Sequence, residues 1–152
     1  MLKKIIYVNL LVLAVFGFSS FAQEKTVVSD TKAKTMLLGK HKVSLQWISW
    51  DYFGAATVTN KKGVFYLKGG QKQRGKGSDY LTIDGVITQI DAKEFKFDGT
   101  IITQISHINN GEPCTRTGEM TFRITGKRKY WRMQEIDNPC DTAADYVDIY
   151  FR

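Results

Sequence analysis

Residues 113–141 read PCTRTGEMTFRITGKRKYWRMQEIDNPCD. Two cysteines, Cys114 and Cys140, each follow a proline and bracket two alternating runs that meet near Gly126. In the first run Met120, Phe122 and Ile124 alternate with Thr121, Arg123 and Thr125. In the second, Trp131 and Met133 alternate with Tyr130, Arg132 and Gln134. Side chains change face with period two along a strand, so each run has one apolar face and the pair reads as a β-hairpin. Glycine first in a two-residue loop suits a type II′ turn. A turn at Gly126-Lys127 predicts Phe122 opposite Trp131, Met120 opposite Met133 and Arg123 opposite Tyr130. The competing four-residue turn, Gly126 to Lys129, sets Arg123 against Arg132, and like charges directly opposed destabilise a sheet. The shorter loop is therefore the expected one.

Cys114 and Cys140 sit at equal distances from Lys127. The open end of a hairpin supplies the Cα separation of about 5.5 Å that a disulfide needs. Closing this loop is worth about 3.5 kcal/mol in the chain-entropy model. Pro113 and Pro139 offer no N–H to a ladder, so regular pairing should stop there. Two cysteines without companion ligands make a poor metal site, and no metal or cofactor is expected.

Upstream, Met1–Ala22 has the order of a secretory signal: Lys3 and Lys4, then an apolar run from Ile5 to Phe18, then Ser20-Phe21-Ala22 before Gln23. The run is shorter than the roughly 20 residues that span a bilayer. Cleavage after Ala22 predicts an exported protein, periplasmic or secreted, with no transmembrane segment left. Export places the cysteines in an oxidising compartment and favours their disulfide. Loss of Lys3 and Lys4 leaves 20 of the 22 basic residues against 15 acidic ones, a formal charge of +5 in place of +7. That balance allows an anionic surface as a partner. No nucleic-acid motif accompanies it.

Residues 23–38 are polar and lysine-rich with no sustained period, and read as a flexible lead-in. Met36-Leu37-Leu38 could add a turn of helix that plugs or flanks the core. From residue 39 to 152 the chain alternates like strands throughout: Val43, Leu45 and Trp47; Ala55–Thr59 and Val64–Lys68 around Asn60-Lys61-Lys62-Gly63; and Val147, Ile149 and Phe151. Asp84-Gly85-Val86-Ile87-Thr88-Gln89-Ile90 recurs, with one insertion, at Asp98–Ile105. Its Asp-Gly pairs mark either turns or bulges that bend a strand. The expected fold is all-β, a single antiparallel meander with one disulfide, closed as a small up-and-down β-barrel rather than a β-sandwich.

Leu38-Gly39-Lys40-His41, running into a strand at Val43, resembles the start of lipocalin-like (calycin) proteins, whose pattern is leucine, glycine, any residue, tryptophan. Here His41 stands at the tryptophan position. The resemblance, to small exported bacterial barrels of that kind, implies an internal ligand cavity.

Catalytic signatures are missing. Gly70-Gln71-Lys72-Gln73-Arg74-Gly75-Lys76 follows a phosphate-binding loop until Gly77, where Ser or Thr must hold Mg²⁺, and a strand-like run follows where a helix is needed. His107 has no local nucleophile or acid. The expected function is therefore non-enzymatic binding of a small apolar or amphipathic molecule, with Trp47, Phe95, Phe97, Phe122 and Trp131 lining the site or filling the core. The alternative is an interaction module that meets a polymer or protein surface, and a hydrolase with dispersed carboxylates stands third. A solvent-filled barrel favours the first, and a barrel plugged by its own side chains the second. Arg132, Asp137 and Asp141 are the candidate polar contacts.

Overall fold

The computed structural model describes residues 23–152. The expected signal, residues 1–22, lies outside the described residues. The elements in chain order are β1 (Val27–Val28), α1 (Thr31–Leu37), β2 (Gly39–Leu45), β3 (Gly54–Lys61), β4 (Val64–Lys72), β5 (Tyr80–Ile90), β6 (Glu94–Gln104), β7 (Cys114–Arg123), β8 (Tyr130–Met133) and β9 (Val147–Tyr150). Strands β2 to β9 each pair antiparallel with the next. β9 closes the ring on β2 through Val43↔Ile149, Ser44↔Asp148 and Leu45↔Val147. The result is an eight-stranded up-and-down barrel, and closure leaves no sheet edge among these strands.

The barrel has two unlike ends. At one, the turn end, the β3–β4, β5–β6 and β7–β8 connections gather with the start of β2 and the finish of β9. At the other, the loop end, lie the longer connections and the Cys114–Cys140 disulfide, whose Cα atoms are 5.9 Å apart. The interior follows the alternation. Leu45, Leu67, Ile83, Phe95, Phe97, Phe122, Trp131 and Ile149 all point inward and are buried. Among the described residues no helix is long and apolar enough to cross a membrane.

Three expectations are corrected. First, residues 23–38 are built into the fold. β1 runs parallel to the end of β5, with Val27↔Gln89 and Val28↔Ile90. Asp30 caps α1 by accepting from the Ala33 N–H at 2.6 Å. Ala33 and Leu37, one helical turn apart, are buried at the turn end. Two apolar contacts and one cap order a segment too short and too polar to show a period.

Second, the β7–β8 register is the longer-loop one: Phe122↔Met133 and Arg123↔Arg132. The opposed arginines are tolerated because each has its own carboxylate. Arg123 Nε donates to Glu94 at 2.6 Å, and Arg132 binds both oxygens of Asp148 at 2.7 Å. A slip of two residues preserves the faces, so Trp131 still points inward.

Third, the Asp-Gly echo marks neither a turn nor a bulge. Gly85 and Gly99 pair directly in mid-strand, and the register shift comes later, between Ile87 and Gln89. Both glycines occupy inward positions beneath the Phe97 ring. A Cβ at Gly85 would lie 2.7 Å from that ring and one at Gly99 2.6 Å from it. The missing side chains make the space that Phe97 fills.

Candidate functional site

The interior is packed by aromatic rings. Phe95 stacks on Phe122 with centroids 5.0 Å apart, Trp131 meets Phe95 edge-on at 5.8 Å, and Phe97 meets Phe122 at 6.1 Å. These four residues are 0–2% exposed. Trp47 is separate from them, half-buried at the loop end, where its indole N–H donates to the Ala144 carbonyl at 3.1 Å and to Asp145 at 3.3 Å. His107 packs edge-on against it at 5.7 Å.

Arg132, Asp137 and Asp141 are not brought together. Asp137 lies in the disulfide loop, where its backbone carbonyl accepts from Arg116 at 3.0 Å. Asp141 caps backbone N–H groups of Asn109 and Thr142, each at 2.6 Å. Those bonds hold its carboxyl below the usual carboxylate value. The loop-end polar cluster is instead Asp145, which takes Arg116 at 3.2 Å and Asn138 at 3.0 Å. Burial raises the Asp145 carboxyl above its ordinary value, against the lowering effect of Arg116 and its other donors.

Arg132 belongs to the outer wall formed by β8, β9 and β2. Asp148 is fully buried there and receives Arg132 bidentately, and this bond raises the arginine further above its ordinary range despite partial burial. The guanidinium lies 4.5 Å from the Tyr146 ring centre and 5.3 Å from that of Tyr130. Tyr130 packs on Tyr150 at 5.2 Å, and Tyr150 on Phe53 at 4.9 Å. Lys42 sits 5.3 Å over the Phe53 ring. The run Lys42–Phe53–Tyr150–Tyr130–Arg132–Tyr146 is therefore a continuous ladder of cations and rings across three strands. The Ser44 hydroxyl is 3.2 Å from that of Tyr150, whose pKa is raised by burial.

Beside the ladder, towards the turn end, a groove of about 760 Å³ opens on the surface. Lys40, Lys42, Lys129 and Arg152 line it with charge, and Phe53, Tyr150 and Phe151 with apolar surface. No Asp or Glu side chain lines it. His41 forms its floor: Nδ1 is 2.8 Å from the Tyr150 carbonyl and Nε2 2.7 Å from that of Leu37, so each ring nitrogen faces a backbone carbonyl oxygen. Among the described residues no cluster of three or more His, Cys, Asp or Glu is placed to hold a metal ion.

Comparison with known proteins places this barrel in a group. The model of the PM1083 family matches residues 25–151. The chain belongs to the PM1083 family. A family relative, described as "Uncharacterized protein PM1083" from Pasteurella multocida (strain Pm70), is 42% identical over 149 residues, covering 97% of this chain and 95% of that protein. No solved structure matches.

The wall and groove were only partly legible in advance. Tyr146, Asp148 and Tyr150 alternate on one face of the last strand, a visible signal of a polar-aromatic outer surface. That β8 and β2 flank this strand, and so bring in Tyr130, Arg132, Lys42 and Phe53, depends on barrel closure.

Proposed function

We propose that this PM1083-family protein is a non-catalytic binding module that holds a small anionic amphipathic molecule in the outer groove. One observation carries the reading: four cationic and three aromatic side chains line the groove with no Asp or Glu among them. Its volume falls in the range of about 300–1,000 Å³ usual for ligand sites. The rings would take the ligand's apolar part, and Lys42 over Phe53 shows how a cation and a ring already share that surface. The likeness to lipocalin-like proteins is then one of strand plan. The packed interior speaks against an internal site and, as a plugged barrel, for contact at the surface; the small-molecule reading, moved to the groove, rests on the groove's size and lining. The disulfide supports export after cleavage at Ala22.

Isothermal titration with dodecyl phosphate tests this, with dodecyl maltoside as the uncharged comparison. Binding of the phosphate alone, weakened at least tenfold by Lys42→Ala with Arg152→Ala, is the expected result. Equal binding of both amphiphiles, or none, counts against it. Binding of a polyanion without the small anion would replace it with the polymer-binding reading.

A further inference from the structure

Charge is distributed unevenly between the two ends of the barrel. Each hairpin at the turn end contributes exposed cations: Lys61 at the end of β3 and Lys62 after it, Lys93 between β5 and β6, and Lys127 and Arg128 between β7 and β8. Three carboxylates stand nearby against these five cations, and of the three only Glu94 is paired with a cation. Glu94 binds Arg123 at 2.6 Å, Asp91 accepts from Gln89 at 2.6 Å, and Asp30 caps α1. Glu24 sits back along the wall, in a cleft shared with Asp98. The loop end is mixed, with Asp51, Glu112, Asp137 and Asp141 beside Arg74 and Lys76, and its one exposed large apolar side chain among the described residues, Trp50, adjoins Asp51.

A second observation falls on the same end. Val27 and Val28 are 61% and 37% exposed, and they are held there by pairing with Gln89 and Ile90 at the finish of β5. The adjoining Thr26 N–H donates to the carbonyl of Gly63, in the β3–β4 turn, at 2.9 Å. Two fixed apolar side chains therefore stand beside the β3–β4 turn and the finish of β5, at the end of the barrel that carries these cations.

We propose that the turn end docks on an anionic lipid bilayer. Lys61, Lys62, Lys93, Lys127 and Arg128 meet the head groups, and Val27 and Val28 enter the boundary between head groups and acyl chains. Cations near such a surface attract it within about a Debye length, and apolar side chains at the same level add burial. This orientation sets the groove's mouth, at Lys40 and Arg152, beside the bilayer. The inference does not depend on what the groove binds.

Co-sedimentation of the protein with vesicles tests it. Binding is expected to an equal mixture of phosphatidylglycerol and phosphatidylcholine, and not to phosphatidylcholine alone. Each lysine near the surface is worth about fivefold in partitioning. The variant Lys62→Asn, Lys93→Gln, Lys127→Gln should therefore bind about a hundredfold more weakly. Asparagine is chosen at residue 62 because that residue has φ +54°, which asparagine tolerates. The loop-end variant Lys72→Gln with Lys76→Gln should bind like the unaltered protein. No binding, equal binding to both vesicle types, a triple variant that binds as tightly as the unaltered protein, or an equal loss in the loop-end variant would each overturn the proposal. Groove variants such as Tyr150→Ala should leave vesicle binding intact, which separates this test from that of the groove.

Discussion

Arg132 and Asp148 form the most consequential pair of side chains on the outer wall. Asp148 is wholly out of water and both its oxygens are taken by the guanidinium. Removing one partner of a buried pair leaves an uncompensated charge and costs about 3–5 kcal/mol. Arg132→Ala is expected to lose that much in urea melts, and the double variant with Asp148→Ala less than the sum of the two single losses. Strict additivity would refute the pairing. Trp131, the next residue, faces the other way into the stacked rings, and Trp131→Ala should cost about 3–5 kcal/mol. The face of Arg132 was legible from period two alone. Its partner was not, because Asp148 lies on a strand whose neighbours only closure defines. Asp145 gives a pH signature. Its folded-state pKa is raised above the ordinary 3.8, chiefly by burial, so the folded chain keeps a proton that the unfolded chain has released. Stability from this group is therefore gained as pH falls through the raised value towards 3.8 and is lost as pH rises. Against Asp145→Asn, the unaltered protein should grow relatively more stable across that acid window. A constant difference between the two would mean that the site titrates like a free carboxyl.

At the scale of elements, β5 and β6 show how a repeated dipeptide serves packing. Gly85 and Gly99 face each other under Phe97. A methyl group at either position meets the ring and the partner strand's backbone, and Gly99→Ala should cost about 1–3 kcal/mol through overpacking. A thermal melt unchanged by that substitution would show that the ring can move aside. The repeat itself was plain in the sequence. Its role was not, since glycine in a strand can signify a bend, a bulge or a close approach, and only the partner across the ladder decides. The hairpin of β7 and β8 makes the same point about register. Turn chemistry and like-charge repulsion both argued for the shorter loop, and both were outweighed by two carboxylates, Glu94 and Asp148, on strands outside the hairpin. The disulfide depended on less. The Cys114–Cys140 bridge joins the start of β7 to the loop after β8 in either register, and Cys140→Ala should lower stability by about 2–5 kcal/mol.

At the scale of the molecule, the barrel class could be read because nearly every run from residue 39 onward alternates, whereas its packed interior depends on how large rings from three strands interlock. The lead-in was illegible for the opposite reason. β1 and α1 have too few apolar residues to declare a period, and they are ordered by a cap, a short parallel pairing and two buried side chains. Export adds a whole-chain expectation: sequencing of protein recovered from the cell envelope or medium should begin at Gln23, and a start at Met1 there would contradict cleavage.

The closure of β9 on β2 also bears on how the chain is made. All other pairings among β2 to β9 join strands consecutive in sequence, so each can form without the far end of the barrel in place. The seam joins residues as distant as Ser44 and Tyr150, 106 positions apart, and its closing strand is synthesised last. Until β9 docks, the folding chain is an open sheet in which β2 and β8 each keep one unpaired edge, and such edges recruit other chains. Premature termination shortly before β9 would therefore yield an aggregating species, not a barrel lacking one stave.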